Sequence, residues 1–170
     1  MYNIFEKLFG TRDVGKLDSG AAYISGNAST LQYSGQPKSV ESVIPPCLER
    51  VQEWLRDREP SVVWDQMLVK GYRDGGDYSG GESSVETGAT FYSFSFGATR
   101  TFRIRATATN AIVADIQVCN GMALTVREDA TSEYFHEIVK VGGPKGVLVG
   151  RHIDVTVLAK PAPEKIDENN

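Results

Sequence analysis

Histidine and cysteine are scarce in this sequence, with two of each among 170 residues. Cys47 and Cys119 are far apart in the chain and lack the close spacing of metal-binding cysteines. We predict that both are free, buried thiols, because unpaired cysteine packs like a small hydrophobic residue. The only histidines are His136 and His152, so any site with two histidine ligands would have to use both.

Long apolar runs and an excess of positive charge are also missing. No apolar run approaches the ~18 residues that a membrane-spanning helix needs. The first ten residues already contain Glu6 and Lys7 and do not resemble a secretory signal. We therefore expect no membrane span and a cytoplasmic location. The net charge of −4 argues against strong non-specific nucleic-acid binding, although it is compatible with a local basic groove.

The length and the hydrophobic content of 41% suit a single globular domain. We predict an N-terminal amphipathic turn and linker over residues 1–20, one folded domain over 21–160, and a disordered polar tail over 161–170. The clearest helix begins at the Pro45-Pro46 pair and ends before Pro60, because its apolar residues recur at helical spacing between these prolines.

From residue 61 onwards the pattern is typical of short strands. Aromatic residues alternate with serine and then with arginine on either side of Gly97-Ala98, which predicts a hairpin turning there. The acidic, glycine-rich segment 73–88 predicts a long loop. Other strands are predicted in 21–35 (two, with a turn at Gly26-Asn27), 61–72, 111–118, 122–126, 133–139 and 147–158. A helix followed by many short strands indicates an antiparallel sandwich or barrel.

Seven segments, in order, resemble the AlkB-like family of iron/2-oxoglutarate dioxygenases, which dealkylate nucleic acids. They are AAYISGNASTLQYSG, VIPPCLERVQEWL, MLVKGYRDGGDYSGG, FSFGATRTFRIR, NGMALTV, ATSEYFHEIVK and GRHIDVTVL, and they run from about residue 20 to residue 158. The resemblance implies a mainly β fold with some helix, namely a double-stranded β-helix (jelly roll) preceded by a short helical and hairpin region.

The resemblance also implies where a metal would bind. The family holds iron(II) with a His-x-Asp pair and a later histidine, which leaves positions open for 2-oxoglutarate and oxygen. Aligned on Tyr72 to Gly75, the first pair falls on Glu82 and Ser84, and serine is a poor iron ligand. The later histidine is His136, although Val139 stands where the family has proline. His136 is therefore the one remnant of the ligand set.

The positions for the co-substrate have changed as well. The family binds the carboxylates of 2-oxoglutarate with two arginines on the last strand, since a guanidinium matches a carboxylate through two hydrogen bonds. Here these positions fall on His152 and Leu158. Only Arg151 lies close enough to replace the first arginine, so Tyr72 and Arg151 are the remaining candidates for co-substrate binding.

These changes favour a domain that has lost dioxygenase activity, needs no cofactor, and binds nucleic acid or a protein partner. One alternative is an active dioxygenase that demethylates nucleic acid, using iron(II), 2-oxoglutarate and an atypical ligand set of His136, Glu82 and either a water or Glu86. Another is a structural domain of a larger polyprotein. Whether the chain is an enzyme stays open, with the balance against it.

Arginines beside the predicted pocket are candidates for phosphate contacts. Arg73, Arg100 and Arg103 lie on or next to the strands that would flank the pocket, where relatives bind nucleic acid. The other interpretation is an ordinary solvated sheet face, on which arginines pair with Asp or Glu of neighbouring strands.

Overall fold

The structure is a computed structural model that describes residues 20–24, 40–41, 44–79, 90–141 and 150–161. Within these ranges the chain forms nine strands and two helices. In chain order they are β1 (Gly20–Ile24), β2 (Val40–Glu41), α1 (Pro46–Arg58), β3 (Val62–Tyr72), β4 (Phe91–Gly97), β5 (Arg100–Ala106), β6 (Ile112–Val118), β7 (Met122–Val126), α2 (Glu128–Glu133), β8 (Tyr134–Ile138) and β9 (His152–Pro161).

The strands form two sheets that face each other. The larger sheet has the order β2-β1-β3-β9-β4-β7, and the smaller has the order β6-β5-β8. In both sheets the neighbouring strands that the structure describes are antiparallel, except that β1 and β2 of the larger sheet are parallel. Going along the chain, β4, β7 and β9 lie in the larger sheet, whereas β5, β6 and β8 lie in the smaller one. This repeated crossing between two sheets defines a jelly roll and confirms the predicted fold class.

The turn at Gly97 and Ala98 carries the chain from one sheet to the other. Strand β4 pairs with β7 and β9, while β5 pairs with β6 and β8, so the predicted hairpin is wrong although both strands exist. Gly97 has a φ of 94°, and a Cβ there would collide with the carbonyl of Arg151. Only glycine allows this close approach to the start of β9. The N–H of Ala98 donates to the same carbonyl at 2.9 Å.

Helix α1 covers the outer face of the larger sheet. Pro46 occupies its first turn, where a missing N–H costs nothing, and the amphipathic pattern buries Leu48 and Leu55. These side chains pack on alternate residues of the sheet to form the largest apolar cluster of the described chain. Its sheet members are Trp64, Met67, Val69, Tyr92, Phe94, Ile153, Val155 and Val157.

The inner face of the same sheet, directed towards the smaller sheet, is more polar. Residues that alternate with the outer cluster include Ser93 and Ser95 on β4, and Asp154 and Thr156 on β9, all of them buried. Ser93 Oγ donates a hydrogen bond to Asp154 at 2.7 Å, which satisfies one oxygen of a carboxyl group that has no access to water. The jelly roll therefore encloses a partly polar interior.

Other predicted elements agree with the structure within a few residues. The predicted helix and the strands at 61–72, 111–118, 122–126 and 133–139 correspond to α1, β3, β6, β7 and β8. Helix α2 was not predicted, since its sequence EDATSE has no apolar periodicity. The first N-terminal strand is β1, whereas its predicted partner, the N-terminal turn before Gly20 and the tail beyond Pro161 lie outside the described residues.

Two composition-based predictions can also be checked. Both cysteines are free thiols, but neither is fully buried: Cys47 is half-buried on α1, and Cys119 is exposed because it lies in the turn between β6 and β7. In the part of the chain that the structure describes, no helix is long and apolar enough to cross a membrane.

Candidate functional site

His136 lies between aromatic rings contributed by both sheets. It is on β8, opposite Ile104 of β5. Its imidazole stacks on Phe102 of the smaller sheet, with ring centres 4.7 Å apart and planes 7° apart. Phe91 of the larger sheet approaches it from another side, at 5.1 Å and 34°. The ring is thus held by two phenyl groups that belong to strands far from it in sequence.

These surroundings keep His136 uncharged. Burial, together with the positive charge of Lys70, lowers its pKa from 6.5 to about 3. At neutral pH the imidazole therefore has one N–H donor and one acceptor nitrogen. None of the hydrogen bonds among the described residues uses either of them.

A cavity of about 330 Å³ opens beside His136. Apart from His136, Thr131 and the hydroxyl of Tyr134, the described side chains that line it are apolar. The other lining residues are Phe91, Phe102, Ile104, Val113, Val126, Ala130 and Phe135. Binding sites for small molecules typically measure 300–1,000 Å³ and combine apolar walls with a few polar groups. The cavity therefore has the size and composition of a small ligand site.

The second histidine lies in a different setting, at the start of β9. His152 is buried, and its Nδ1 is 2.8 Å from the carbonyl oxygen of Ala98. Burial lowers its pKa to about 4, against the opposing effect of that hydrogen bond. Its ring lies 5.6 Å from that of Tyr72, which is also buried. His152 thus packs next to Tyr72 at the beginning of β9.

Asp154 is the one aspartate buried among the described residues of the inner face. Burial raises its pKa, although hydrogen bonds from Ser93 and Thr156 and the charge of Lys70 act in the opposite direction. Lys70 stands opposite Asp154 on the neighbouring strand β3. One lysine therefore influences both Asp154 and His136, from the larger sheet.

The described side chains do not match an iron site of the predicted kind. In the ranges that the structure covers, no three side chains of His, Cys, Asp or Glu lie close enough to hold a metal ion. The two histidines have different neighbours, phenyl rings for His136 and the Ala98 carbonyl for His152. The predicted positions Glu82 and Ser84 lie outside the described residues.

The predicted co-substrate positions do not supply guanidinium groups to the interior either. Leu158 is buried with Phe91 and Val126, so an apolar cluster occupies the place of the second arginine. The side chain of Arg151 is exposed, just before β9. Tyr72 is buried in the interior as expected for its predicted role, which itself stays a prediction. This set of side chains is a poor match to a dicarboxylate such as 2-oxoglutarate.

The three arginines predicted to contact phosphate already have partners within the protein. Arg73 forms an ion pair with Asp77 at 3.0 Å, and Arg103 forms one with Asp115 at 2.7 Å. The pairing with Arg73 lowers the pKa of Asp77, although burial alone would raise it. Arg100 is buried, which places it away from any exposed rim. Cross-strand pairing, the alternative interpretation, describes Arg103 well.

Arg100 instead connects a loop to the smaller sheet. Its guanidinium donates to the carbonyl oxygens of Asp74 (2.7 Å), Asp77 and Val139 (3.3 Å), and lies 5.3 Å from the ring centre of Tyr72. Burial lowers its pKa, against the attraction of Tyr72 and the nearby aspartates. The sequence indicates an arginine on a strand but not this role, because the three carbonyls come together only in the folded chain.

Comparison with known proteins gives a distant likeness in fold. No protein-family model matches the chain, and no curated protein matches it. Similar solved structures include OsALKBH1 (17% identity, TM-score 0.44, 72% of this chain and 65% of that one) and the ribosomal oxygenase YcfD from Escherichia coli (12%, 0.46, 67% and 27%).

A third is the capsular polysaccharide assembling protein CapF from Staphylococcus aureus, with 13% identity and a TM-score of 0.40. The match covers 55% of this chain and only 22% of CapF. All three likenesses are too distant to carry a function, and the fold class rests on the order of the strands.

Proposed function

We propose that this protein is a non-catalytic binding domain with a jelly-roll fold, and that its ligand site is the cavity beside His136. The observation that carries the proposal is the packing of the His136 ring on Phe102 and Phe91. A neutral imidazole held against two phenyl groups is part of an apolar wall. A metal ligand, in contrast, is usually oriented by a hydrogen bond on its second ring nitrogen.

The distribution of charged groups also supports binding without iron chemistry. An iron(II) dioxygenase site needs two imidazoles and a carboxylate on one face. Among the described residues the buried carboxylate is Asp154, and it is engaged by Ser93 and has a raised pKa, which favours its protonated form. His152 has other neighbours than His136, since it packs on Tyr72 and the Ala98 carbonyl rather than on Phe102 and Phe91.

A small molecule or a protein is a better candidate ligand than nucleic acid. Binding to phosphates depends on lysine and arginine side chains that can exchange counterions for phosphate. Arg73 and Arg103 are each held by an aspartate, and Arg100 is buried. The exposed positive charge that such binding requires is therefore already neutralised at the predicted positions.

Anaerobic titration with iron(II) or manganese(II), with and without 2-oxoglutarate, tests the proposal. We expect no stoichiometric binding that depends on His136. The variant to compare is His136→Ala, and Ile104→Ala is its matched control. Ile104 is the cross-strand neighbour of His136 and lines the same cavity without offering a metal ligand.

Tight, stoichiometric metal binding that is lost in His136→Ala and retained in Ile104→Ala would overturn the proposal. The atypical dioxygenase would then be the better description of this protein.

A further inference from the structure

We infer that the cavity beside His136 binds one neutral aromatic molecule of about two fused rings, whose single hydrogen-bonding group is directed at the His136 imidazole. The inference rests on the proposed function, because it takes the cavity to be the ligand site. It adds the class of ligand, its size, its charge and the atom that recognises it.

The volume sets the size. A dry engineered cavity of about 150 Å³ binds benzene. The cavity here measures about 330 Å³, roughly twice as much, which leaves room for a second fused ring. It is near the lower limit for small-molecule sites, so a compact ligand fits it best.

The lining sets the shape and the charge. Among the lining residues that the structure describes, five of ten carry aromatic rings, namely Phe91, Phe102, Tyr134, Phe135 and His136, and the rest are apolar except for Thr131. Aromatic rings pack well against one another in offset or edge-to-face contacts. A carboxylate or an ammonium group would lose its hydration here without gaining an opposite charge among the described lining side chains, and this cost disfavours charged ligands.

His136 supplies the specific contact. Its ring borders the cavity, and neither nitrogen is used by a hydrogen bond among the described residues. An uncharged hydroxyl or N–H of a ligand can therefore bond to it without displacing an existing partner. The same contact compensates for the burial of a polar group of the ligand.

A route for entry is present at the edge of the smaller sheet. Val113 lines the cavity while 55% of its surface is exposed, so the cavity reaches the outside of the protein beside this residue. Ala130 of helix α2 lines it too. A bulky side chain at position 130 should fill the cavity from the helix side.

Calorimetric titration of the full chain at pH 7.5 tests the inference with three probes. They are 2-naphthol, naphthalene, and 2-naphthoate as the charged analogue of the same rings. We expect 2-naphthol to bind with 1:1 stoichiometry, naphthalene about fivefold more weakly through loss of one hydrogen bond, and 2-naphthoate at least tenfold more weakly. In His136→Phe, which keeps the ring, the difference between 2-naphthol and naphthalene should disappear.

The location is tested by Ala130→Trp, with Ala123→Trp on the exposed side of β7 as its matched control. Binding of 2-naphthol should be lost in the first variant and unchanged in the second. Intermolecular NOEs from 2-naphthol to Phe102 and Val126 in the unaltered protein give the same information even if Ala130→Trp does not fold.

Three results would overturn the inference: no binding of 2-naphthol to the folded protein, binding of 2-naphthoate as tight as that of 2-naphthol, or NOEs to residues outside the cavity. These outcomes are separate from the metal titration. A negative result with all three probes and no His136-dependent metal binding would reject the ligand class while leaving the non-catalytic binding domain in place.

Discussion

The two faces of the larger sheet differ in composition and in what they do. The outer face, under helix α1, is a continuous apolar cluster that includes Met67, Val69 and Val155. The inner face carries buried polar groups, among them Ser93 and Asp154, and meets the aromatic wall around His136. Strands usually place their apolar side towards the interior of a sandwich. Here the largest apolar cluster faces the helix, whereas the space between the sheets combines smaller apolar clusters around Tyr72, Phe102 and Phe91 with these polar groups.

We expect the outer face to contribute more to the stability of the fold and the inner face to contribute more to ligand binding. Substitutions on the outer face should therefore unfold the protein without changing the ligand affinity of the folded fraction. Substitutions on the inner face should cost less stability and change ligand affinity or pH dependence.

The largest effect is expected on the outer face, for Leu55→Ala. Leu55 is completely buried between helix and sheet, so the lost methyl groups and the cavity left behind should lower the free energy of unfolding by about 2–5 kcal/mol. Urea denaturation followed by circular dichroism measures this. Leu55→Met, which keeps the volume, should cost less than about 1.5 kcal/mol. Equal losses for the two variants would show that helix packing contributes little.

A loss of stability on acidification should distinguish the inner face. The pKa of His136 is about 3 and that of His152 about 4, both below the ordinary 6.5. The unfolded chain therefore takes up these protons first, so their contribution is complete above pH 6.5 and is lost as the pH falls towards 4 and 3. Between pH 6.5 and its own pKa in the folded protein, each histidine lowers the free energy of unfolding by about 1.4 kcal/mol for every pH unit of acidification.

Asp154 acts in the opposite direction. Its raised pKa favours the protonated form in the folded protein, so its contribution to the free energy of unfolding increases as the pH falls through that pKa. This increase offsets part of the stability that the histidines lose. Urea unfolding of the unaltered chain and of His136→Phe between pH 7 and pH 4.5 isolates one histidine. The slope of the free energy of unfolding against pH should decrease in the variant by the amount that corresponds to the uptake of about one proton. An unchanged slope would mean that His136 is not buried in its neutral form.

A smaller effect is expected for Ser93→Ala, also on the inner face. The variant removes one of the hydrogen bonds to Asp154 and should cost about 1 kcal/mol while raising the pKa of that carboxyl further. Ser95→Ala is the matched control, since Ser95 is equally buried two residues along the same face. Chemical denaturation and NMR titration of the carboxyl carbon give the two quantities. A larger loss at Ser95 would place the important hydrogen bond elsewhere.

The smallest effect is expected on the exposed side of the smaller sheet, for Arg103→Ala. Its ion pair with Asp115 is solvated and screened, so the urea midpoint should stay close to that of the unaltered chain. The affinity for single-stranded DNA or RNA should be weak at moderate salt, both for the unaltered chain and for Arg103→Ala. Tight binding with a steep salt dependence that decreases in Arg103→Ala would restore the predicted phosphate contact.

Much of the fold was predictable because the signals are local. The Pro45-Pro46 pair and the apolar spacing define α1, and the alternation around Phe94 and Phe102 defines β4 and β5. The hairpin prediction failed because Gly97 is a turn signal that does not say whether the chain returns within one sheet. That depends on pairing partners that come later in the chain, since β4 pairs with β7 and β9 whereas β5 pairs with β6 and β8.

The candidate site was only partly predictable. The resemblance singled out His136, and the structure places it on the cavity wall. The partners Phe91 and Phe102 had no signal beyond strand alternation, because their contact with His136 joins three strands of two sheets. Alternation predicts two faces for a strand without saying which of them will meet a helix. The interior is partly polar because tertiary packing places the apolar side of these strands against helix α1.

The buried guanidinium of Arg100 has a consequence for motion. One planar group holds carbonyl oxygens from the loop after β3 and from the end of β8, two segments more than sixty residues apart. The N–H of Ser79 also donates to Ile138, and the N–H of Ile138 donates to Ser79 Oγ, so hydrogen bonds join the loop and the strand directly as well as through Arg100. Local opening of this loop therefore requires the end of β8 to open too. Amide hydrogen exchange at Ser79 and Val139 should proceed at matching rates, as for a single cooperative unit.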